Sequence, residues 1–347
     1  MKAPAAILEL KCSVQLDDYV VGISWADDSQ RLAVAGGEGG VYLAERQDKA
    51  LQVKKVGDHG LGALAVAWQP QGESFISSGQ DSSIVAWSGV TGAALQRRRP
   101  ATAWSEHLRF TADGQYLASA AGKQIFLWSA NLEPQSVLPP LEASVAALAW
   151  DKAGRELGAA IQGGILVHRF DPNPSIAAVQ TRPYKWAAAC VAIAFSPNGR
   201  FLATGTQDGS VHFWYLGTGK DSQMRGYPGK VNLLEWSHDG RYLSTIADNQ
   251  VVVWDFGGKG PEGSRPKQLS GHTDRIECLA AQRGGPFLVS GGRDWRLSLW
   301  WPGKASQALD AHLTDSEPSC LQWSPNGCFI AVGERKGKLS IYELEQL

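Results

Sequence analysis

The sequence repeats itself every 40 to 45 residues, and this period restricts the possible folds more than any other feature of the chain. The clearest copy is FSPNGRFLATGTQDGSVHFW at residues 195–214. It contains an apolar strand end, a Pro-Asn-Gly turn, an alternating strand, a Gln-Asp-Gly turn and a third strand that ends on Trp214. Eight such units follow one another, with their first turns at Ser29, Gly72, Gly114, Gly154, Gly199, Gly240, Gly285 and Gly327. Each unit therefore predicts a three-stranded antiparallel meander.

Each unit is long enough to hold one strand more. Between the third strand of one unit and the first strand of the next lie segments such as GAALQRRRP at 92–100, which have the length of a fourth strand. The 39 Gly among 347 residues are consistent with a chain rich in turns, and 44% hydrophobic residues are enough to fill a large core. The sequence thus predicts an all-β fold of repeated four-stranded blades.

The units resemble the repeats of the WD-repeat β-propeller family. The resemblance rests on the period, on Gly-His before the first strand, on Asp in the second turn and on Trp in the third strand, and it covers nearly the whole chain. Only Trp254-Asp255 keeps the literal Trp-Asp pair, and unit four ends in His168 instead of Trp. The resemblance implies one eight-bladed propeller domain over residues 1–347. Seven blades plus an irregular cap is the alternative.

Closure of the ring is the second expectation. Only five residues follow Tyr342 in the last unit, too few for an outer strand, whereas residues 5–13 (AAILELKCS) have the length and apolar content of one. A ring of sheets cannot leave a long edge unpaired. We therefore expect residues 5–13 to complete the last blade, which is also how the resembled family closes.

Two units carry all four residues of the family's hydrogen-bonded tetrad: His59, Ser77, Asp81 and Trp87 in unit two, and His272, Ser290, Asp294 and Trp300 in unit seven. In that arrangement the carboxylate accepts from imidazole and hydroxyl, and the Ser accepts from the indole N–H. An isolated His and Asp would suggest proton transfer. At these spacings we interpret them as structural.

The 14 Trp divide into scaffold and candidate site. Ten fall at fixed strand positions and are expected in the core, whereas Trp104, Trp186, Trp295 and Trp301 are left over. Three of these four map to the face that carries the second-to-third-strand turns and the loops entering first strands, here called the top face. The partner-binding residues predicted on this face are Trp295, Arg293, Arg275, Trp186, Trp104, Asp274, Lys230, Gln80, Gln207 and Arg335. Packing against a loop is the alternative for each indole.

Charge and composition restrict the function. Lys plus Arg number 33 against 34 Asp plus Glu, so no overall field would gather nucleic acid or an anionic membrane. The five Cys show no C-x-x-C pair, and neither a signal-peptide core nor a membrane-spanning stretch is apparent. We expect a cytoplasmic, monomeric propeller without metal or cofactor that acts as a non-catalytic scaffold for one or more protein partners.

Two alternative functions and two further kinds of surface segment are also compatible with the sequence. Residues 216–220 (LGTGK) resemble the Thr-Gly-Lys turns of quinone-dependent dehydrogenases, which makes a propeller enzyme the alternative, followed by a nucleic-acid-associated subunit. Arg97-Arg98-Arg99 is more typical of a solvated strand edge than of a polyanion site. The Gly- and Pro-marked insertions 171–183 and 257–268 are expected on the opposite, bottom face, where they are the second candidate for a binding surface.

Overall fold

The computed structural model describes residues 6–170 and 178–346, and these residues form β-strands connected by turns. The thirty strands are, in chain order from β1 to β30, Ala6–Gln15, Val20–Trp25, Arg31–Gly36, Gly40–Gln47, Ala50–Asp58, Ala63–Trp68, Ser74–Gly79, Ile84–Ser88, Ala94–Arg98, Ser105–Phe110, Tyr116–Ala121, Gln124–Ser129, Pro134–Val137, Ala147–Trp150, Glu156–Phe170, Ala178–Phe195, Phe201–Thr206, Val211–Tyr215, Asp221–Met224, Leu234–Trp236, Tyr242–Ala247, Gln250–Asp255, Lys267–Ser270, Ile276–Ala281, Leu288–Gly292, Arg296–Trp300, Asp310–Leu313, Pro318–Trp323, Phe329–Glu334 and Lys338–Gln346. Within the described ranges no helix is long and apolar enough to cross a bilayer.

The strands form seven antiparallel sheets arranged as a propeller. Six sheets have four strands: β2–β5, β6–β9, β10–β13, β20–β23, β24–β27, and β28–β30 with β1. The seventh sheet has six strands, β14–β19. The first strands contact one another in a closed ring through β2, β6, β10, β14, β16, β20, β24 and β28. The prediction of an all-β propeller is correct, but the prediction of eight four-stranded blades is wrong, because the ring has seven sheets.

The difference lies where units four and five meet. Strand β15 pairs with β14 through Leu157–Ala160 and with β16 through Gln162–Phe170. Strand β16 runs on without a loop and pairs with β17 through Cys190–Phe195. Because β15 and β16 each extend over a stretch for which the repeat pattern predicts two strands, the two units share one sheet. Strand β15 also folds back on itself, since Phe170 N donates to Arg155 O at 2.9 Å.

The N-terminal strand lies at the outer edge of the last sheet. Strand β1 pairs antiparallel with β30 from Ala6, opposite Gln346, to Gln15, opposite Lys338, with one bulge between Leu10 and Cys12. Residue 5 of the expected strand lies outside the described residues. The side chain of Leu8 is buried against the neighbouring β24–β27 sheet, in a cluster with Val289 and Leu297. The first and last strands of the described chain are therefore held in one sheet.

Apolar side chains fill the spaces between adjacent sheets. Trp68 and Phe75 stack at 5.4 Å between ring centroids, and Phe75 lies 6.3 Å from Trp87. The third-strand Trp side chains of units two, three, five, six and seven are all buried. Large aromatic area buried at each junction fixes the angle between neighbouring sheets and so holds the top-face loops in place.

Candidate functional site

The tetrad of unit two is fully hydrogen-bonded. His59 Nδ1 lies 2.9 Å from Asp81 Oδ1, and because a carboxylate only accepts, the imidazole donates there. Its Nε2, 2.8 Å from Ser77 Oγ, then accepts from that hydroxyl, and the Trp87 indole donates to the same oxygen at 2.8 Å. The hydroxyl that donates to Asp81 is that of Ser83, at 2.7 Å, so the expected hydroxyl donor is not the tetrad serine.

The tetrad of unit seven has the same geometry. His272 Nδ1 lies 2.9 Å from Asp294 Oδ1, His272 Nε2 lies 2.7 Å from Ser290 Oγ, and the Trp300 indole donates to Ser290 at 2.8 Å. Burial raises the pKa of Asp294, but hydrogen bonds from His272 and from the Thr273 amide outweigh it, so the pKa of this carboxyl lies below its usual range. Both His–Asp pairs form hydrogen bonds within their own units. Each pair fixes the turn between the second and third strands on the top face.

Unit six forms a similar hydrogen-bond network from different residues. Tyr227 takes the place of the tetrad His, and its hydroxyl lies 2.7 Å from Thr245 Oγ1 and accepts from the Trp254 indole at 2.8 Å. Burial raises the pKa of this phenol to about 12, so the hydroxyl stays protonated. A partial network therefore exists in this unit, which lacks the His of the full tetrad.

In four units, the residue just before the second turn makes an equivalent backbone hydrogen bond on the top face. The amides of Gln80, Gln207, Arg293 and Arg335 donate to the carbonyls of Gly62, Ala189, Arg275 and Glu317 at 2.8, 2.9, 2.8 and 2.9 Å. Each bond ties the turn to the loop that enters the first strand of the same unit. The side chains at these positions are therefore presented in equivalent directions from a fixed backbone.

Trp295 is the most prominent of these top-face residues. Its side chain is 44% exposed although it is a large aromatic, and its backbone is left-handed with φ of 62°. Two contacts hold that backbone, since the Thr314 amide and hydroxyl both donate to Trp295 O, at 2.8 and 2.9 Å. Lys336 Nζ lies 5.5 Å from the indole ring, within cation–π distance. A non-glycine residue in this conformation carries strain that the surrounding turn must hold.

Three arginines converge on one carboxylate beside this indole. Glu277 Oε1 lies 2.7 Å from Arg293 Nε and 3.5 Å from Arg275 Nε, and Glu277 Oε2 lies 3.6 Å from Arg335 Nη2. Arg335 also contacts Glu317 at 2.9 Å. The arginine side chains remain 38–50% exposed, whereas that of Glu277 is 17% exposed. Glu277 thus orients the guanidinium groups, and most of their donors still face solvent. We call Trp295, Arg275, Arg293, Arg335 and Lys336 the Trp295 patch.

The other predicted top-face residues lie outside the Trp295 patch. Asp274 adjoins the patch and caps the Arg275 amide at 2.6 Å. Gln80, Trp104, Gln207 and Lys230 belong to loops of other sheets, where Trp104 is 49% exposed. Trp186 is half-buried, stacked on His212 at 3.8 Å between ring centroids, with its indole nitrogen buried. Of the ten predicted residues, the structure brings together five in the adjacent β24–β27 and β28–β30 sheets: Asp274, Arg275, Arg293, Trp295 and Arg335. Trp186 instead packs against His212.

Sequence reasoning missed Glu277, Glu317 and Lys336. Glu277 occupies a bulge in β24, between Ile276 and Cys278, and the first strands of several other units have the same irregularity. Aligning the first strands on that bulge would have marked Glu277 as an acidic residue at a place where units one, two and five carry Val21, Leu64 and Val191. Across the described ranges no group of three or more His, Cys, Asp or Glu side chains is placed to hold a metal ion.

Comparison with known proteins agrees with this architecture. The family model for the WD domain, G-beta repeat, matches residues 184–215, 221–255, 263–300 and 303–343. The C-terminal region of the chain therefore contains recognised WD repeats, as the motif spacing predicted.

Several proteins that are similar in sequence come from plants, and the names of some of them refer to the cell cycle or to cell division. Protein FIZZY-RELATED 2 of Arabidopsis thaliana is 26% identical over 314 residues, which cover 88% of this chain and 55% of that protein. The B-type cell cycle switch protein ccs52B of Medicago truncatula is 26% identical over 86% of this chain and 61% of its own length. Cell division cycle 20.5, cofactor of APC complex, of Arabidopsis thaliana is 25% identical over 82% and 65%. The chain thus spans somewhat over half the length of these relatives.

A solved structure resembles the fold as a whole. The computationally designed Ika8 protein superimposes with a TM-score of 0.78 over 96% of this chain and 99% of that one, at 18% identity. At this identity the likeness concerns the fold alone.

Proposed function

We propose that this protein is a non-catalytic adaptor that binds one or more proteins through the top face, centred on the Trp295 patch. The observation that carries the proposal is the meeting of three half-exposed arginines and an exposed indole on rigid turns of two adjacent sheets. Trp and Arg are the residues that most often contribute large parts of the binding energy at protein interfaces. The names of the similar proteins, among them a cofactor of a complex, support an adaptor role.

The patch favours a partner segment that carries carboxylates. The three arginines and Lys336 outnumber Glu277, Glu317 and the adjoining Asp274, so the local charge is positive although the whole chain has a net charge of -1. Guanidinium groups bind carboxylates with two parallel hydrogen bonds, and here Glu277 already restricts their rotation. Because the donors are held before binding, little side-chain entropy would be lost when the partner docks.

The described residues that could suggest catalysis have other roles. The His59–Asp81 and His272–Asp294 pairs are occupied with internal partners, and residues 216–220 form the turn between β18 and β19, where Gly219 N donates to Tyr215 O at 2.7 Å. These observations favour the adaptor over the dehydrogenase alternative.

The test compares a double variant with wild type. Trp295→Ala with Arg293→Ala should leave the melting temperature unchanged, because both side chains are exposed, and should weaken partner binding about thirtyfold or more, as loss of roughly 2 kcal/mol or more at an anchor residue implies. Proteins retained by the tagged wild-type chain would be identified by mass spectrometry, and the affinity of each purified partner would then be measured with both chains. Binding to wild type should also weaken with added salt.

A matched control replaces Trp104→Ala together with Gln80→Ala, which removes an equally exposed indole and a polar side chain from other sheets. It should retain the partner. Equal affinity of the wild type and the Trp295 double variant would move the proposed binding surface to residues 257–268, because residues 171–177 of the other expected insertion lie outside the described residues and 178–183 belong to β16. A lower melting temperature of that variant would instead show that Trp295 serves packing.

A further inference from the structure

Unit four holds a small polar ring where other units hold an indole. The bond from Phe170 N to Arg155 O corresponds to that from Gly89 N to Glu73 O in unit two, so His168 occupies the place of Trp87. By the same correspondence Trp128, Trp214, Trp254 and Trp300 share this place in units three, five, six and seven. Ala159 stands where Ser77 stands in unit two, and Val145, whose amide donates to Gly122 O, stands where His59 stands. Unit four has therefore lost the whole tetrad.

The missing indole leaves an open space. In units two and seven the ring reaches the end of the last strand of the preceding sheet, so a β-carbon at Gly57, in β5, or at Gly271, directly after β23, would overlap Trp87 or Trp300. His168 is too short to reach that far. A groove of about 770 Å³ lies here between residues 139–142 and the outer half of unit four, lined by Pro139, Pro140, Leu141, Leu166, His168 and Pro183. We call it the unit-four groove.

A buried polar atom at the groove has no partner in the described chain. His168 is 2% exposed, its Nδ1 lies 3.0 Å from Thr181 Oγ1, and its Nε2 makes no hydrogen bond within the described residues. Buried ring nitrogens are normally paired, because an unpaired one costs free energy. The Thr181 hydroxyl can donate or accept, so Nε2 can do either toward a bound group. The groove thus combines largely apolar walls with two buried ring nitrogens that make no hydrogen bond within the described residues, His168 Nε2 and Trp186 Nε1, and such a combination is usual in ligand sites.

We infer that the unit-four groove binds an aromatic side chain, Trp or Tyr, from an extended segment of a partner protein. The ring would occupy the space that the chain's own Trp fills in five other units, and its N–H or O–H, or a neighbouring peptide group, would pair with His168 Nε2. A side chain fits better than a free charged molecule, because ten of the seventeen lining residues are Pro, Leu, Ile, Ala, Tyr or Trp, and the charged ones are one Glu and one Lys, Glu142 and Lys185. The inference rests on the proposed function only in taking the partner to be a protein.

The decisive variant fills the groove. His168→Trp restores the residue of the other units and should keep or raise the melting temperature, while binding of N-acetyl-L-tryptophanamide weakens at least tenfold. Binding of this probe to the full chain would be followed by saturation-transfer NMR at millimolar concentration, with N-acetyl-L-alaninamide as the probe that should not bind. Tyr342→Trp is the matched control, since Tyr342 holds the same sheet position in the last unit. It should bind the probe as wild type does.

A second variant covers the case in which His168→Trp does not fold. Pro140 is exposed, so Pro140→Asp should leave the fold intact and weaken probe binding by placing a charge on the apolar wall. No saturation transfer to wild type, or equal binding by wild type, His168→Trp and Pro140→Asp, would overturn the inference. Binding of free indole with no binding of the amide probe would also overturn it, because the groove would then take a small molecule and not a peptide.

The proposed top-face site and the proposed unit-four groove can be refuted independently of each other. In the retention experiment, loss of a partner in His168→Trp but not in the Trp295 double variant would support the groove and contradict the proposed top-face site. Loss in the double variant together with full probe binding by wild type would support both. Retention of every partner by His168→Trp would contradict a partner's use of the groove, whatever the outcome for the Trp295 patch.

Discussion

Replacing Asp294 by Ala tests the hydrogen-bonded tetrads most directly. The Asp294 side chain is 4% exposed, and it accepts from His272 Nδ1 at 2.9 Å, from the Thr273 amide at 2.8 Å and from the Arg296 amide at 3.2 Å. Water can replace the carboxylate at the exposed Thr273 amide. It cannot easily do so at His272, whose side chain is fully buried. The expected loss is therefore that of one buried, unsatisfied donor, about 1–3 kcal/mol of unfolding free energy.

Asp81→Ala provides the internal comparison. Ser83 Oγ lies 3.2 Å from His59 Nδ1, so this hydroxyl can accept from the imidazole once the carboxylate is gone. Asp81 is also more exposed, at 14%, and its contact with Arg97 at 3.1 Å is a surface ion pair of little value. We therefore expect Asp81→Ala to cost less than Asp294→Ala, and Asp294→Asn, which keeps an accepting oxygen, to lie between wild type and Asp294→Ala.

Equilibrium unfolding in urea, followed by far-ultraviolet circular dichroism, gives these free energies for the four proteins side by side. Partner binding by Asp294→Ala should fall together with stability, because Trp295 and Arg293 flank Asp294. An Asp294→Ala protein as stable as wild type, or one more stable than Asp81→Ala, would refute the argument from unsatisfied donors. Wild-type stability combined with lost binding would make Asp294 a binding residue.

Three further predictions concern other parts of the ring. Deleting residues 1–13 should produce aggregation or loss of cooperative melting, because most of β1 pairs there with β30 and its removal exposes that strand's edge; a soluble, cooperatively melting truncation in light-scattering and melting experiments would contradict this. Tyr227→Phe should cost about 1–2 kcal/mol in urea unfolding, since the Trp254 indole N–H loses its acceptor while Thr245 Oγ1 keeps its bond to Val252 O, and an unchanged midpoint would contradict the bond assignment. Burial lowers the pKa of His168 to about 4, so the unfolded chain takes up a proton first as pH falls below the ordinary value of 6.5, and stability is lost from there down to pH 4. Between pH 7 and pH 5 wild type should lose about 2 kcal/mol more than His168→Gln, and parallel pH profiles would contradict this.

The scaffold was predictable from the sequence because its signals are local and repeated. Turn residues and strand-ending aromatics recur at a fixed spacing, and the tetrad residues of unit seven could be named before their 2.7 to 2.9 Å contacts were known. The number of sheets was not predictable in the same way. Whether two units share a sheet depends on whether β15 and β16 continue through the junction, and around Gly163 and Gly164, at φ of 94° and 135°, no residue pattern marks this.

The candidate sites depend on contacts between distant residues. Glu277 and Arg335 are 58 positions apart, and nothing in either segment shows that one carboxylate gathers three arginines. The replacement of Trp by His168 was visible in the sequence. Its consequence was not, because the size of the groove depends on where residues 139–142 lie in the preceding sheet. Trp295 and Trp186 both lack a place in the strand pattern, but Trp295 is exposed on a turn, whereas Trp186 packs on His212.

The continuous β16 strand affects where this ring could be cut and rejoined. In a circular permutant the natural ends are joined and new ends are opened elsewhere, and such ends are tolerated in exposed connections that carry few backbone hydrogen bonds. The described connection between β22 and β23 is closer to that kind, because its residues 262–265 are exposed. The passage from unit four to unit five is not, because Ala178–Phe195 is strand throughout. New ends there would sever a strand that two units share, so permutants opened at this junction should be the least able to fold, and a duplicated or deleted unit would have to include units four and five together.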